Sequence, residues 1–148
     1  MAMARTLSQD SICSRFMAFV RRDAATAELR REIRCTGREV ALVAENVDGA
    51  IVGEAYAVPV ADDCSEAAFI VSDRSQHHGV GALLFAGIVR ALTEQGVRTM
   101  RIEMLYHNFN MMRLVEHSKL PFTQQRIDGT IELLVRLPRR GAGASLAS

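Results

Sequence analysis

A short loop with two closely spaced glycines, QHHGVG at residues 76–81, separates an apolar run from an apolar helical pattern. The first N–H groups of a helix lack intrahelical partners and carry about half a positive charge. Glycine has no Cβ, so a ligand can approach the backbone closely at Gly79 and Gly81. An ordinary strand-to-helix turn is the alternative, but two glycines beside an apolar helix favour an anion site with phosphate as occupant.

The residues that follow the glycines distinguish three kinds of phosphate loop. A P-loop needs Lys and then Ser or Thr after its last glycine, whereas Ala82 and Leu83 follow Gly81. A dinucleotide fingerprint needs a small residue where Leu84 stands, and it belongs to an N-terminal βαβ unit. The pyrophosphate loop Gln/Arg-x-x-Gly-x-Gly is matched at every position, so it is the form that we expect.

The elements that must hold this loop follow from the hydrophobic pattern. Strands are predicted over 39–45, 50–60, 66–72 and 99–107, with a final hairpin over 122–137; helices are predicted over 7–34, over 80–94 and after Asn108. Asp48-Gly49 and Asp128-Gly129 are hairpin turn signals, and Pro59 with the polar segment ADDCS over 61–65 is expected to end the second strand. This order predicts an α/β or α+β sheet with helices on both faces.

Length and composition set the class of protein. With 148 residues, we predict one domain over 1–140 and a flexible C-terminal tail over 141–148. Eighteen basic and 17 acidic residues give a net charge of +1, which argues against a dedicated nucleic-acid binder. The sequence shows neither a secretory signal nor an apolar run long enough for a membrane span, and its three cysteines have no metal-like spacing. We therefore expect a cytoplasmic protein with reduced thiols and no membrane partner.

These segments resemble the GNAT acyltransferase superfamily from about residue 7 to residue 137. The loop at 76–81 matches the pyrophosphate loop of that family, and NFNMMRL at 108–114 matches its Asn-led helix. LSQDSICSRF, REVALVAE, GAIVGEA and EAAFIVSDRSQHHGVGALL are similar to segments of bacterial protein-lysine acetyltransferase domains of the Pat type. The resemblance implies a mixed, mostly antiparallel sheet that splays at the strand over 66–72, and acetyl-CoA as cosubstrate in the gap.

The resemblance also implies the cofactor-binding residues. The pantetheine arm would bond to the backbone of Ile70, Val71 and Ser72, and Asn108 would lie near it. The pyrophosphate would lie on the loop and the helix start, which comprise Gln76, His77, His78, Gly79, Val80, Gly81 and Ala82.

In the Pat-type subgroup, a strand glutamate ten residues before the loop glutamine acts as general base, and counting back from Gln76 gives Glu66. An amine with a pKa of about 10.4 is almost wholly protonated at neutral pH, so it must lose a proton before it attacks a thioester. A carboxylate in a partly buried cleft can accept that proton. Without the resemblance, Glu66 would be interpreted as a polar residue at a strand start.

Three further expectations concern departures from the family pattern and the histidines. Only six residues precede Leu7, so the first strand of the family sheet is missing, and a second chain could cover the open edge in a homodimer. Many relatives have a tyrosine as general acid where Val115 or His117 stands here, which leaves the acid unassigned. His77 and His78 are expected to be solvent-facing rather than metal ligands, and His107 and His117 to be surface residues.

Two functions from different classes remain at this point. The first is an N-acetyltransferase that moves an acetyl group directly to a primary amine; the acceptor is a protein lysine, a polyamine, an amino acid or an antibiotic amine. The second is a non-catalytic acyl-CoA-binding module that senses or scaffolds.

Overall fold

The computed structural model describes residues 37–141. Three predictions concern residues outside this part: the helices over 7–34, the missing first strand and, for residues 142–148, the flexible tail. They stay predictions, as does the division into one domain and a tail. The elements within it are strands β1 Val40–Glu45, β2 Ile51–Ala61, β3 Cys64–Val71, β4 Thr99–Leu105, β5 Phe122–Ile127 and β6 Thr130–Arg136, helices α1 Val80–Glu94 and α2 Phe109–His117, and a short 3-10 turn Asp73–Ser75.

The strands form one six-stranded sheet in the order β1-β2-β3-β4-β6-β5. Every neighbouring pair is antiparallel except β3 and β4, which are parallel over Cys64–Thr99, Ser65–Met100 and Glu66–Arg101. Both strands then continue, to Val71 and to Leu105, without pairing further with each other. The mixed, mostly antiparallel and splayed sheet predicted above is confirmed, and the opening begins directly after Glu66.

The two predicted hairpin turns are present, and local chemistry explains each. In the β1–β2 turn, the side-chain Oδ1 of Asn46 accepts hydrogen bonds from the N–H groups of Asp48 (3.0 Å) and Ala50 (2.9 Å). In the β5–β6 turn, Asp128 and Gly129 have φ of 45° and 84°, the two positive values that a type I′ turn requires.

Strand β2 ends at Ala61, one residue beyond the predicted end and within the polar segment over 61–65. Pro59 lies inside the strand because its missing N–H removes no ladder bond. The N–H of Ser72 donates to the carbonyl of Val52 at 2.8 Å, and this bond sets the alternation along the β2–β3 ladder. Pro59 pairs with Ser65. Because Pro59 is an odd number of residues from Val52, this pair occupies a non-hydrogen-bonded position of the ladder. The strand continues to Ala61.

Helix α1 covers one face of the sheet at close range. Its buried side is Leu84, Phe85, Ile88, Val89 and Leu92. A Cβ on Gly53 of β2 would lie 2.8 Å from Leu84 Cδ1, and one on Gly87 would lie 2.7 Å from Leu42 Cδ1, so glycine permits the close approach. At the C-terminus, Gly96 has φ of 82° and the N–H of Val97 donates to Leu92 O at 3.0 Å, a Schellman arrangement.

Helix α2 begins at the predicted cap and packs on the same face as α1. The side chain of Asn108 accepts a hydrogen bond from the N–H of Met111 at 3.2 Å. Met111 and Val115 are buried in the same core as Met100 and Met104 of β4. Because α2 follows β4 directly, it returns alongside the opening between β3 and β4.

Candidate functional site

A cleft of about 1100 Å³ lies where β3 and β4 part, bounded by the end of β3, the glycine loop, the first turn of α1 and α2. The predicted cofactor-binding residues that line it are Ile70, Val71, Gln76, His77, Gly79, Gly81, Ala82 and Asn108. Ser72, His78 and Val80 are adjacent in sequence but are not part of the lining. The structure therefore brings most of the residues that were predicted to bind the cofactor to one cleft.

The first turn of α1 directs backbone donors toward this cleft. Its first helical hydrogen bond runs from the N–H of Leu83 to Gly79 O at 3.1 Å. The N–H groups of Val80, Gly81 and Ala82 precede it, so they have no acceptor within the helix. Within residues 37–141, no side chain caps this helix start. An anion in the cleft would meet these N–H groups and the positive end of the helix dipole.

The two glycines of the loop are needed for different reasons. Gly79 has φ of 82°, a left-handed backbone conformation that costs free energy for residues other than glycine. Gly81 is helical, and a Cβ there would make only ordinary contacts, with Leu114 Cδ2 at 3.8 Å and Val71 Cγ2 at 3.9 Å. The protein itself leaves room for a side chain at residue 81, so the glycine there keeps the cleft open. This fits a bulky phosphorylated ligand at the helix start.

Side chains of the loop hold its own backbone in place. Gln76 Nε2 donates to Val71 O at 3.3 Å and to Asp73 Oδ1 at 3.2 Å. His78 Nδ1 lies 2.7 Å from Gln76 O; because a carbonyl only accepts, Nδ1 carries the hydrogen. His77 has φ of 62°, which is uncommon outside glycine and clusters at functional sites.

The free side of β3 presents main-chain groups to the gap. Since Ser72 N–H donates to Val52 O at 2.8 Å, the main-chain groups of Ser72 and, by alternation, of Ile70 point to β2. Those of Phe69 and Val71 point to the opposite side, where β4 has departed. Of the three backbone positions that the resemblance implied, only Val71 thus faces the gap, and Phe69 is the second residue that does so.

Glu66 is on the face of the sheet opposite α1, at the last parallel pair before the opening. Its partner in the register is Arg101. Arg101 Nε donates to Glu66 Oε2 at 3.1 Å, and Arg101 Nη2 donates to the same oxygen. Both side chains are partly exposed, 38% for Glu66 and 35% for Arg101. The hydrogen bond from Arg101 to Glu66 raises the pKa of the guanidinium above its ordinary value, so it stays charged.

Arg101 is the residue that sequence reasoning missed. Its Nη1 also lies 3.8 Å from Glu132 Oε2 on β6, so the guanidinium bridges two carboxylates from two strands. Glu66 does not line the cleft; it lies four residues before Ile70, about 13 Å along the strand. The pairing joins residues that are 35 positions apart, and no local pattern indicates which strands become neighbours.

The structure brings histidines from separate segments to the cleft, which the sequence did not indicate. His77, His107 and His117 line it, together with Arg113 and Asp73. His107 and His117 are exposed, as predicted for surface residues, but the surface they share is the cleft. His117 Nδ1 lies 2.7 Å from Arg113 O, which leaves its Nε2 directed elsewhere. Val115, the other position comparable to the family tyrosine, is fully buried.

Two negative findings apply to residues 37–141. This part of the chain has no group of three or more His, Cys, Asp or Glu side chains that could hold a metal ion. Nor does it include a helix of the length and hydropathy needed to cross a membrane. Cys64 is a free, partly buried thiol, and burial raises its pKa above the ordinary value.

A mixed sheet that opens beside a short parallel pairing, with a glycine-bearing helix start at the opening, is the fold of GNAT acetyltransferase domains. Solved structures of that fold superpose on this chain. The GNAT domain of S. lividans PAT has a TM-score of 0.76 at 23% identity, over 92% of this chain and 82% of that one. A phosphinothricin acetyltransferase from Sinorhizobium meliloti in complex with AcCoA has a TM-score of 0.71 at 16% identity, over 95% and 86%.

A third neighbour, ribosomal-protein-alanine N-acetyltransferase from Brucella melitensis, has a TM-score of 0.67 at 18% identity, over 93% of both chains. No family model and no curated protein sequence matches the chain. At these identities, the neighbours show the fold, and the resemblance that the sequence indicated is confirmed at that level.

Proposed function

We propose that this chain is an acetyl-CoA-dependent N-acetyltransferase whose acceptor is a primary amine. The observation that carries the proposal is the opening between β3 and β4, with the donors of Val80, Gly81 and Ala82 at its mouth. The neighbour from Brucella melitensis is an N-acetyltransferase by name, and the phosphinothricin acetyltransferase from Sinorhizobium meliloti is in complex with AcCoA.

The cofactor-binding part of the proposal assigns each portion of the ligand to groups that have the matching chemistry. The N–H groups of Val80, Gly81 and Ala82 would hold the pyrophosphate, and the absent side chain of Gly81 leaves it room. The main-chain groups of Phe69 and Val71 would bond to the amides of the pantetheine arm, as a β-strand bonds to an added strand. The arm would then extend along β3 toward Glu66.

Glu66 is proposed as the general base. Acetyl-CoA, when bound, supplies a thioester whose carbonyl carbon an amine can attack. The acceptor approaches as an ammonium ion, and a carboxylate of Glu66 removes its proton directly or through one water. Backbone N–H groups along the open edge of β3 can stabilise negative charge that develops on the carbonyl oxygen. No general acid is assigned to the departing thiolate.

The acceptor class is proposed no more finely than a primary amine, with a protein lysine as the first candidate. The lysine is what the resemblance of the sequence to Pat-type protein-lysine acetyltransferase domains implies. The names of the neighbours from Brucella melitensis and Sinorhizobium meliloti point to a ribosomal-protein alanine and to phosphinothricin, so protein and small-molecule amines both occur on this fold.

A non-catalytic acyl-CoA-binding module is the second candidate, and the ion pair of Glu66 favours it. A carboxylate that already accepts two hydrogen bonds from Arg101 has the contacts of a structural residue that joins β3 to β4. In that case the cleft would bind acetyl-CoA and no amine would be acetylated.

Amide hydrogen exchange with and without saturating acetyl-CoA tests the binding site. We expect slower exchange at residues 77–82 and at 69–71, and unchanged exchange in the β5–β6 hairpin, which is remote from the cleft. Equal exchange at residues 77–82 in the two samples would contradict the proposed pyrophosphate site.

Thiol release from acetyl-CoA over a panel of amines and lysine-bearing proteins then separates the enzyme from the binding module. Mass spectrometry of the products, after incubation with acetyl-CoA and a protein and metabolite extract, identifies the acceptor. Protection of the loop without thiol release on any amine would favour the binding module.

A further inference from the structure

We propose that Arg101 is a positioning residue that fixes the carboxylate of Glu66 so that Oε1, rather than Oε2, receives the proton of the acceptor. The inference rests on the proposed function, since it concerns the base of the same reaction. It assigns a role to a residue on β4 that has no contact with the cleft described above.

The contacts of Arg101 distinguish the two oxygens of Glu66. Arg101 Nε lies 3.1 Å from Oε2, and Nη2 donates to Oε2 as well, so both bonds end on one atom. Within residues 37–141, no side chain donates a hydrogen bond to Oε1 of Glu66. As far as residues 37–141 are concerned, the lone pairs of Oε1 are available for a proton, while Oε2 is held by the cation.

The guanidinium is itself held from its other side. Arg101 Nη1 lies 3.8 Å from Glu132 Oε2 on β6, and Glu132 is the less exposed partner at 24%. A planar guanidinium between two carboxylates has little freedom to rotate. The orientation of Glu66 is thus fixed through β4 by a residue of β6.

The position of the pair connects it to the opening. Glu66 and Arg101 are the last parallel partners of β3 and β4, so they mark the closed end of the gap. An acyl arm that follows β3 from the helix start would end near this point. A base held here is at the level where the thioester and the amine must meet.

The proton step is balanced without any further reactant. The N–H bond of the acceptor ammonium breaks, and an O–H bond forms on Oε1. The electron pair left on nitrogen then forms the C–N bond with the thioester carbonyl carbon, and the C–S bond breaks to release the thiolate of CoA, which takes up the second proton that the acylated nitrogen loses. The positive charge stays on Arg101 throughout.

The experiment measures kcat and KM, with acetyl-CoA and the best acceptor, for the wild type, Arg101→Gln and Arg101→Lys. Arg90→Gln is the matched control, because it removes a guanidinium that bonds to the exposed Glu94 at 3.0 Å and lies outside the cleft lining. Thermal unfolding and acetyl-CoA affinity of each variant are recorded in parallel. Arg101→Lys keeps the charge and is expected to fold if Arg101→Gln does not.

We expect Arg101→Gln to lower kcat by roughly 10- to 100-fold with unchanged acetyl-CoA affinity, because the base loses its orientation. The KM for the acceptor should change little, because the variant alters orientation rather than binding. In Arg101→Lys, which keeps a cationic donor for Oε2, kcat should fall less. Arg90→Gln should keep kcat within about threefold of wild type, since exposed ion pairs contribute little.

A wild-type kcat in an Arg101 variant that folds would overturn the inference. Losses in Arg101→Gln and Arg101→Lys that are equal and that only follow the loss of thermal stability would overturn it as well, because a merely structural ion pair predicts that result. A wild-type protein that transfers no acetyl group to any amine would overturn the proposed function and this inference together.

Discussion

Val71 and Leu114 face each other across the space that a side chain at residue 81 would enter. A Cβ on Gly81 would lie 3.9 Å from Val71 Cγ2 and 3.8 Å from Leu114 Cδ2, which are ordinary van der Waals distances. One wall of this space is the open end of β3 and the other is α2. The protein therefore leaves the volume beside residue 81 unoccupied, and this volume is part of the cleft.

Gly81→Ala should raise the stability of the protein and lower its affinity for acetyl-CoA. Alanine in a helix is about 0.5–1 kcal/mol more favourable than glycine, and the new methyl group meets no close contact, so the free energy of unfolding should rise. Acetyl-CoA affinity should fall, and in Gly81→Glu it should fall by roughly tenfold or more, which is about 1.4 kcal/mol. Urea denaturation and calorimetric titration measure the two quantities.

Gly87→Ala is the control for that pair, because it is also a helical glycine of α1. Its Cβ would lie 2.7 Å from Leu42 Cδ1, so it should gain no stability, and it lies away from the cleft, so affinity should not change. Unchanged acetyl-CoA affinity in Gly81→Glu would contradict the pyrophosphate site.

Gly79→Ala should destabilise the protein through backbone conformation alone. Gly79 has φ of 82° and no atom within 4 Å of an added Cβ, so the cost is strain rather than collision. We expect a loss of about 1–2 kcal/mol in the free energy of unfolding, and a smaller loss in Gly79→Asn, since asparagine tolerates left-handed conformations. Equal losses in the two variants, measured in urea, would show that another cause dominates.

Glu66→Gln should remove the proton acceptor and leave the cofactor site intact. We expect kcat to fall by on the order of 10²–10⁴ while acetyl-CoA affinity changes little, because Glu66 lies outside the cleft lining. Steady-state rates with the best acceptor and calorimetric titration with acetyl-CoA give the two values. Glu103→Gln is the control and should keep most of the activity; Glu103 belongs to β4 and lies on the same face of the sheet as Glu66. A wild-type rate in Glu66→Gln would remove Glu66 from the mechanism.

Gln76→Ala should loosen the loop without disturbing the sheet. The variant loses two hydrogen bonds from Nε2, at 3.3 Å to Val71 O and 3.2 Å to Asp73 Oδ1, worth roughly 0.5–1.5 kcal/mol each. Amide exchange at residues 72–82 should accelerate, and acetyl-CoA should bind more weakly. Gln124→Ala, an exposed residue of β5, should change neither quantity. Wild-type exchange rates in the loop of Gln76→Ala would mean that other contacts hold it.

Cys64 should react with an alkylating agent only in alkaline solution. Burial raises its pKa above the ordinary 9.0, and the nearby Arg101 guanidinium partly opposes this by lowering it. The reactive thiolate is therefore scarce at neutral pH, and the alkylation rate should keep rising as the pH passes 9.0. Mass spectrometry of the peptide that contains Cys64 measures the rate. Arg101→Gln should move the half-maximal rate to still higher pH; half-maximal reaction well below pH 9.0 in the wild type would contradict the burial effect.

Much of the fold could be predicted from the sequence because its signals are local. The turn at Asp128-Gly129, the cap at Asn108 and the helix Val80–Glu94 each depend on residues a few positions apart. That Pro59 lies inside β2 could not be predicted, because the effect of a proline depends on which ladder position it occupies. That position is set by the partner strand, which no local pattern reveals.

The sequence by itself determined that a glycine-bearing helix start follows a buried strand, because backbone conformation and helix termini are encoded by neighbouring residues. Only the tertiary structure decided that β4 leaves β3 after Glu66, that Arg101 meets that carboxylate, and that Phe69 and Val71 face the gap. Three histidines on separate elements likewise meet only at the cleft. These relationships depend on strand order and register, which arise when distant segments pack together.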